Sequence, residues 1–213
     1  MRRIFIGDIQ GCREPLERLL VAVAFRAGRD RLLPCGDLVN KGPDSPGTVA
    51  LLMQLQAEPV LGNHDLHVLK RRKLSDSRQV EWLQKQPFVR VFDDVIMVHA
   101  GLHPKWEVAH LPQLDEREQD YAVNVRYCDA DGNRPAEDWP PPGPPYRPWD
   151  DFYRGDKRVV FGHWARRGLV VAKHCIGLDT GCVYGGKLSA WIAEEDRIVQ
   201  VDGWLRDGVP RQV

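Results

Sequence analysis

The chain has 213 residues, 43% of them hydrophobic, and its 30 basic and 30 acidic side chains cancel to zero formal charge at pH 7. This length and apolar content suit a single domain, residues 1–213, with a substantial core, and the balanced charge excludes the global basic surface that drives nonspecific nucleic-acid binding. No stretch approaches the ~20 apolar residues of a membrane span, and the apolar run after Arg2 and Arg3 is too short for a signal-peptide core before Gly7 and Asp8 interrupt it.

In chain order, residues 4–6, 32–34 and 59–61 are apolar runs of strand length, each followed by a glycine beside a hard metal ligand. The three sites are Gly7-Asp8-Ile9-Gln10-Gly11, Gly36-Asp37-Leu38-Val39-Asn40-Lys41-Gly42 and Gly62-Asn63-His64-Asp65. Ligands at three strand ends can converge on one crevice. Between them, residues 15–24 carry Leu16, Leu19, Leu20 and Val23 as a helical stripe, and residues 45–56 read as a helix with Ser45 at its cap and Pro46 at its first position. Residues 64–73 and 79–86 also read as helices, so His64 sits at a helix N-terminus. His67, on the same side, reads as structural or solvent-facing rather than as a ligand, because the ligand set is already full.

After Pro87 the pattern predicts strands over residues 88–92, 95–99, 122–128, 158–162, 169–174, 188–192 and 197–201. Hairpin turns are expected at Asp93-Asp94 and over residues 129–133 and 194–196. Two histidines leave strand ends as the earlier ligands do, in Val98-His99-Ala100-Gly101 and Phe161-Gly162-His163-Trp164. Helices early and hairpins late imply an α/β fold of two packed mixed sheets flanked by helices. From Pro135 to Trp149 the chain must be extended and partly polyproline-like. This stretch reads as a stiff connector, as a ligand for proline-recognising modules, or as a wall in which Trp139, Tyr146 or Trp149 stacks on adenine, an interaction of ~1–3 kcal/mol per base, and nothing else in the chain suggests the second. The five cysteines contain no CxxC pair and are odd in number, so they read as reduced thiols of a cytoplasmic protein with no disulfide partner.

A single Gly-Asp or Asn-His-Asp motif is usually turn chemistry. Three in order, followed by two histidines at strand ends, are better explained as one site. Carboxylates from Asp8 and Asp37, amide oxygens from Gln10 and Asn63, and imidazoles together suit a binuclear centre for Mn²⁺, Mg²⁺, Co²⁺, Fe or Zn²⁺. Such a centre points to hydrolysis of a phosphoester or phosphoanhydride.

The series GDxQG, GDLVNKGPDS, GNHD, VHAG, FGHW and Leu178-Asp179-Thr180-Gly181-Cys182 resembles the phosphoprotein-phosphatase branch of the calcineurin-like metallophosphatases. Within that branch it is most similar to the bacterial symmetrical diadenosine tetraphosphatases. The resemblance spans residues 4–191 and weakens over residues 107–158. It implies a layered sandwich with a reduced cap and a variable Pro-rich region about 107–157, and two metals. Asp8, Gln10 and Asp37 would hold the first, and Asp37, Asn63, His99 and His163 the second, with Asp37 bridging. His64 would be the proton donor, Lys41 would face the phosphate, and Arg126 would bind phosphate or be a solvated strand residue. The implied reaction is attack of a metal-bridging hydroxide on diadenosine tetraphosphate, or a related dinucleoside polyphosphate, giving two nucleoside diphosphates.

Two metals and two carboxylates leave a local charge of about +2, a complement to an anionic substrate. Protein phosphatases have His where Gln10 stands, and an amide oxygen should tilt the site toward Mn²⁺ or Mg²⁺ over Zn²⁺. They also have an Asp where Asn40 stands, so an imidazolium at His64 is expected to lack a nearby carboxylate. Both substitutions favour phosphoanhydride cleavage, where the leaving group is good. The alternatives are a serine/threonine protein phosphatase or broad phosphomonoesterase, and a nucleotide sensor without turnover. The reduced cap leaves the cleft open to nucleoside-capped RNA 5′ ends.

Overall fold

The first strand, β1 (Arg3–Ile6), alternates its apolar side chains between two different cores. Ile4 and Ile6 face one and Phe5 the other, and all three are fully buried. A strand covered on both faces reads as a continuous apolar run. The computed structural model describes residues 1–205, so the last eight positions of the expected domain lie outside the described residues.

Next come α1 (Arg13–Ala22), β2 (Arg31–Pro34), α2 (Ser45–Gln54), α3 (Asn63–Lys70) and α4 (Ser77–Gln84). They are followed by β3 (Val89–Val91), β4 (Val95–Val98), α5 (Glu116–Asn124), β5 (Tyr127–Cys128), β6 (Arg147–Pro148) and β7 (Arg158–Phe161). The described chain closes with β8 (Val170–Val171), β9 (Cys175–Gly177), β10 (Lys187–Ile192) and β11 (Arg197–Asp202). One sheet runs β11-β10-β1-β2, the other β3-β4-β7-β9-β8, and β5 pairs with β6. The pairs β1/β2, β4/β7 and β7/β9 are parallel. Phe5, Leu33, Met97, Val160, Ile176 and Trp191 fill the space between the two larger sheets, with the Phe5 and Trp191 rings stacked at 5.4 Å. Helices α1 to α4 cover the outer face of the first sheet, burying Leu16, Leu19, Leu52 and Val68 among others. The second sheet's outer face carries α5 and Trp149.

The α/β sandwich of two mixed sheets is as expected, as are the four early helices. Four local readings change. Residues 59–61 form no strand. They are an extended segment whose Val60 N–H bonds the Pro34 carbonyl at 3.1 Å and whose Leu61 N–H bonds Pro87 at 2.9 Å. Residues 122–128 are not one strand but the end of α5 followed by the short β5. That helix starts at a capping box in which Asp115 accepts from the N–H groups of Arg117 and Glu118, and Glu118 accepts from Asp115 N–H. The turn at Asp129 exists, through its carboxylate and the N–H groups of Asp131 and Asn133. It does not close a hairpin, because β5 pairs with the distant β6. The strand expected over 169–174 shrinks to β8, and the paired strand beside it is the unforeseen β9.

Asp30 fixes the corner where α1 returns to β2. Its buried carboxylate takes Arg2 at 2.7 Å and the Arg26 guanidinium at 3.0 Å, and accepts the Arg26 N–H at 2.9 Å. The hydrogen bonds from Arg2 first, and then from Arg26, hold this carboxyl well below the usual carboxylate range. A depressed folded-state pKa adds stability that is present above the unfolded value near ~4 and disappears as pH falls through the folded value. Asp30→Asn is therefore expected to cost about 1–3 kcal/mol at pH 7, in line with hydrogen bonds to charged groups. In urea titrations the gap from wild type should narrow below pH ~4, and a gap independent of pH would contradict this account.

Candidate metal centre

The loops that follow β1, β2, β4 and β7 meet at the carboxyl ends of these strands, the usual place for a crevice in an open parallel sheet. Backbone bonds lock the first two loops together. The N–H groups of Ile9 and Gln10 bond the Asp37 carbonyl at 3.1 and 2.7 Å, and Gly11 N–H bonds Leu38 at 2.8 Å. Asp65, fully buried, joins β2 to α3 by accepting from Leu38 N–H, Val39 N–H and Gly62 N–H at 2.8, 3.2 and 2.9 Å. Gly62 and Gly162 are needed for close approach: a Cβ on Gly62 would lie 2.2 Å from Asp37 Oδ1, and one on Gly162 would lie 2.1 Å from Asp8 Oδ1. Four residues here that are not glycine, Gln10, Asp37, Asn40 and His163, hold φ values of 50°, 50°, 117° and 67°.

The structure brings Asp8, Gln10, Asp37, Asn63, His99 and His163 together. Asp8, Asp37 and His99 each place one donor atom within 4.8 Å of the others. Asp8 Oδ1 accepts from His163 N–H at 2.9 Å, while Asp8 Oδ2 and Gln10 Oε1 are buried with no hydrogen-bond partner among the described residues. Gln10 Nε2 donates to Asp37 Oδ2 at 3.1 Å, and His64 N–H to Asp37 Oδ1 at 2.8 Å.

The histidine tautomers follow from their other contacts. His99 Nδ1 lies 2.8 Å from the Cys35 carbonyl, which can only accept, so Nδ1 carries the proton. The Nε2 lone pair then faces Asp37 Oδ1 at 3.3 Å and Asn63 Oδ1 at 3.0 Å. His163 Nε2 donates to the Asn124 carbonyl at 3.2 Å, so its Nδ1 lone pair faces the same Asn63 oxygen at 3.0 Å. Acceptors turned on one another around a buried point repel unless a cation sits between them, and this donor set fits divalent ions.

The electrostatics agree. Burial, followed by the charges of Asp179 and Asp37, pushes Asp8 well above the ordinary carboxylate range. Burial pushes Asp179 up to about 6, although a hydrogen bond from Gly181 N–H at 3.1 Å opposes it. Burial, with His99 next, pushes His163 well below the usual imidazole value. Crowded carboxylates beside imidazoles with inward-facing lone pairs are the electrostatic arrangement that a divalent cation complements.

His64 lies beside this cluster rather than in it. Asn40 Nδ2 donates to His64 Nδ1 at 2.7 Å, and Lys73 Nζ lies 3.5 Å from Asn40 Oδ1, which fixes the amide's orientation. The His64 proton is then on Nε2, turned toward the cavity. Burial lowers the His64 pKa and Asp37 opposes that. The expectation that no carboxylate is near His64 is corrected, because Asp37 Oδ2 lies 3.8 Å from Nε2.

A cavity of about 540 Å³ opens over the cluster, lined by Lys41, Arg126, Tyr127, Trp139, Trp164 and Tyr184 among others. Lys41 lies over the Tyr184 ring at 4.8 Å and donates to its hydroxyl. Arg126 pairs with Asp138 at 3.1 Å. Trp139 is 61% exposed, with the Arg166 guanidinium 4.1 Å from its ring. Of the three aromatic residues expected to form a wall, Trp139 alone lines the cavity. Trp149 is a correction: it is fully buried on the outer face of the second sheet, 5.3 Å from the Phe161 ring and against Gly101. Tyr146 is not part of the lining either. The other aromatic members are Tyr184, Tyr127 and Trp164, and the rings of the last two meet at 4.8 Å. Asp65, Asp179 and Tyr184 carry no role in the sequence reading. Asp179 follows β9 by the same strand-end rule, but β9 itself is hard to see.

The sequence profile of the calcineurin-like phosphoesterases matches residues 1–167. The chain is 35% identical to the symmetrical bis(5′-nucleosyl)-tetraphosphatase of Shewanella oneidensis, over 92% of this chain and 96% of that protein. It is 34% identical to the one from Ralstonia nicotianae, over 87% of each. The first of these alignments spans 266 positions against a chain of 213 residues, so part of that relative has no counterpart here. A crystal structure assigned provisionally to a diadenosine tetraphosphatase superposes with a TM-score of 0.86 at 39% identity, covering 96% of this chain and 95% of that one. A serine/threonine phosphatase of Saccharomyces cerevisiae shares the fold, with a TM-score of 0.60 at 14% identity.

Proposed function

The chain belongs to the calcineurin-like phosphoesterases, and we propose that it hydrolyses diadenosine tetraphosphate, or a close dinucleoside polyphosphate, symmetrically into two nucleoside diphosphates. The observation that carries this reading is the set of inward-facing acceptors, Asp8 Oδ2, Gln10 Oε1 and the lone pairs around Asn63 Oδ1, gathered at a cavity that Gln10 and Asn63 line and whose walls are cationic and aromatic. The names of the relatives supply the substrate class.

In this reading Asp8, Gln10 and Asp37 hold one divalent ion, and Asp37, Asn63, His99 and His163 the other. Mn²⁺ is the favoured metal, because the set mixes hard oxygens with imidazole, and Mg²⁺, Co²⁺, Fe and Zn²⁺ are alternatives to be tested. The bound ions would supply an activated water and neutralise charge on the phosphates. The remaining work belongs to the chain. His64 offers its Nε2 proton to the departing phosphate oxygen, with Asn40 holding the ring. Lys41 and Arg126 bind phosphate oxygens, and Trp139, beside Tyr127 and Trp164, offers a face for a base. Residues 1–213 act as one domain, with the Pro-rich region as part of the cavity wall. The shortened cap leaves that cavity open enough for nucleoside-capped RNA 5′ ends. Five buried thiols suit the cytoplasm.

The test is incubation of the purified protein with Mn²⁺ and either diadenosine tetraphosphate or a phosphopeptide. ADP as sole nucleotide product supports the reading. Phosphate released from the peptide alone would favour a protein phosphatase, and nucleotide binding without product a sensor. Gln10→His should lower the manganese concentration for half-occupancy, because imidazole is the stronger donor. An unchanged titration would remove Gln10 from the ligand set.

A further inference from the structure

A second cleft, of about 400 Å³, lies between α3 and α5. It shares Asn63 and His64 with the first cavity, so two channels meet at the residues nearest the point of cleavage. The geometry points to this second cleft as the seat for the phosphates of the departing half of the substrate, with Lys70 and His67 pairing with their oxygens. The inference rests on the reading of the site as a dinucleoside polyphosphate hydrolase. A substrate cut at its centre has a full nucleoside diphosphate on either side of the breaking P–O bond, and two openings that meet at Asn63 and His64 give each arm its own seat.

The chemistry of the cleft fits an anion. His67 and Lys70 are one turn apart on α3, both exposed, and neither has an ion-pair partner among the described residues. Their side chains face the same opening. The one carboxylate there, Asp120, is already engaged by Arg134 at 3.0 Å and by Asn124 Nδ2 at 2.8 Å. Leu66 and Val123 add apolar lining, and no tryptophan or tyrosine lines the cleft. This cleft therefore grips phosphate by charge, whereas the first cavity also offers rings to a base. His64, common to both, has its Nε2 proton where the bond between the two halves breaks.

The test compares the manganese-loaded wild type with Lys70→Ala and Lys70→Gln on diadenosine tetraphosphate and on p-nitrophenyl phosphate, whose leaving group carries no phosphate into the cleft. We expect KM for the dinucleotide to rise about tenfold, the usual scale for one charged hydrogen bond, with kcat nearly unchanged and p-nitrophenyl phosphate turnover unaffected. His67→Ala should act in the same direction. Equal effects on both substrates, or none on either while wild type cleaves the dinucleotide, would overturn the assignment and leave the proposed activity intact. If wild type hydrolyses p-nitrophenyl phosphate but not the dinucleotide, the reading of the site fails and this inference falls with it.

Discussion

Asp37→Asn is expected to lower bound metal from two ions per chain to fewer than one and to reduce turnover by on the order of 10³-fold or more. Both oxygens of Asp37 are committed: Oδ1 to His64 N–H and Oδ2 to Gln10 Nε2, with His99 Nε2 3.3 Å from Oδ1. An amide in its place must turn an NH₂ toward one of two groups that already donate, and it removes the negative charge that two cations would share. Metal content by mass spectrometry after dialysis is the direct check, and a content equal to wild type would end the bridging role. Unfolding is separable from metal loss. Asp8 and Asp179 are held above the ordinary carboxylate range in part by the charge of Asp37. Removing that charge should leave the metal-free variant about as stable as metal-free wild type.

His64→Asn is expected to keep both ions and lose roughly 100-fold in kcat, the lower end of what general acid catalysis contributes. The His64 side chain is outside the ligand cluster. Its backbone N–H, which orders Asp37, survives the substitution. What disappears is the Nε2 proton and the hydrogen bond with Asn40. Loss of metal along with turnover would show that the ring is structural, and full activity would show that the departing diphosphate needs no donor.

These residues were legible from sequence because each obeys a local rule, in which a short apolar run ends and the next polar residue, with a glycine beside it or two positions on, faces the crevice. Asp8, Asp37, His99 and His163 all follow β1, β2, β4 or β7 in that way. Asn63 follows the same rule although residues 59–61 make no ladder, since they are extended enough to deliver Gly62 to the same place. What failed depended on distant partners. The two apolar residues Ala122 and Val123 look the same in a strand as on the buried face of α5, and the deciding signal was the Asp115 and Glu118 box at its start. Trp139 and Trp149 flank the same proline run. Which one enters the core is decided by Gly101 and Phe161, far away in sequence. The α3–α5 cleft was invisible for the same reason, as it exists only where two helices fail to fill the space between them.

The left-handed turns at Gln10, Asp37, Asn40 and His163 set a limit on improving this molecule. Such conformations cost of order 1–3 kcal/mol each in residues other than glycine, and here they fall at side chains proposed to do the chemistry or to hold its metals. Directed evolution for heat resistance alone would find glycine at these four positions an easy gain. Hardier clones chosen in that way should be inert, so a screen meant to harden this protein has to select for turnover in the same round.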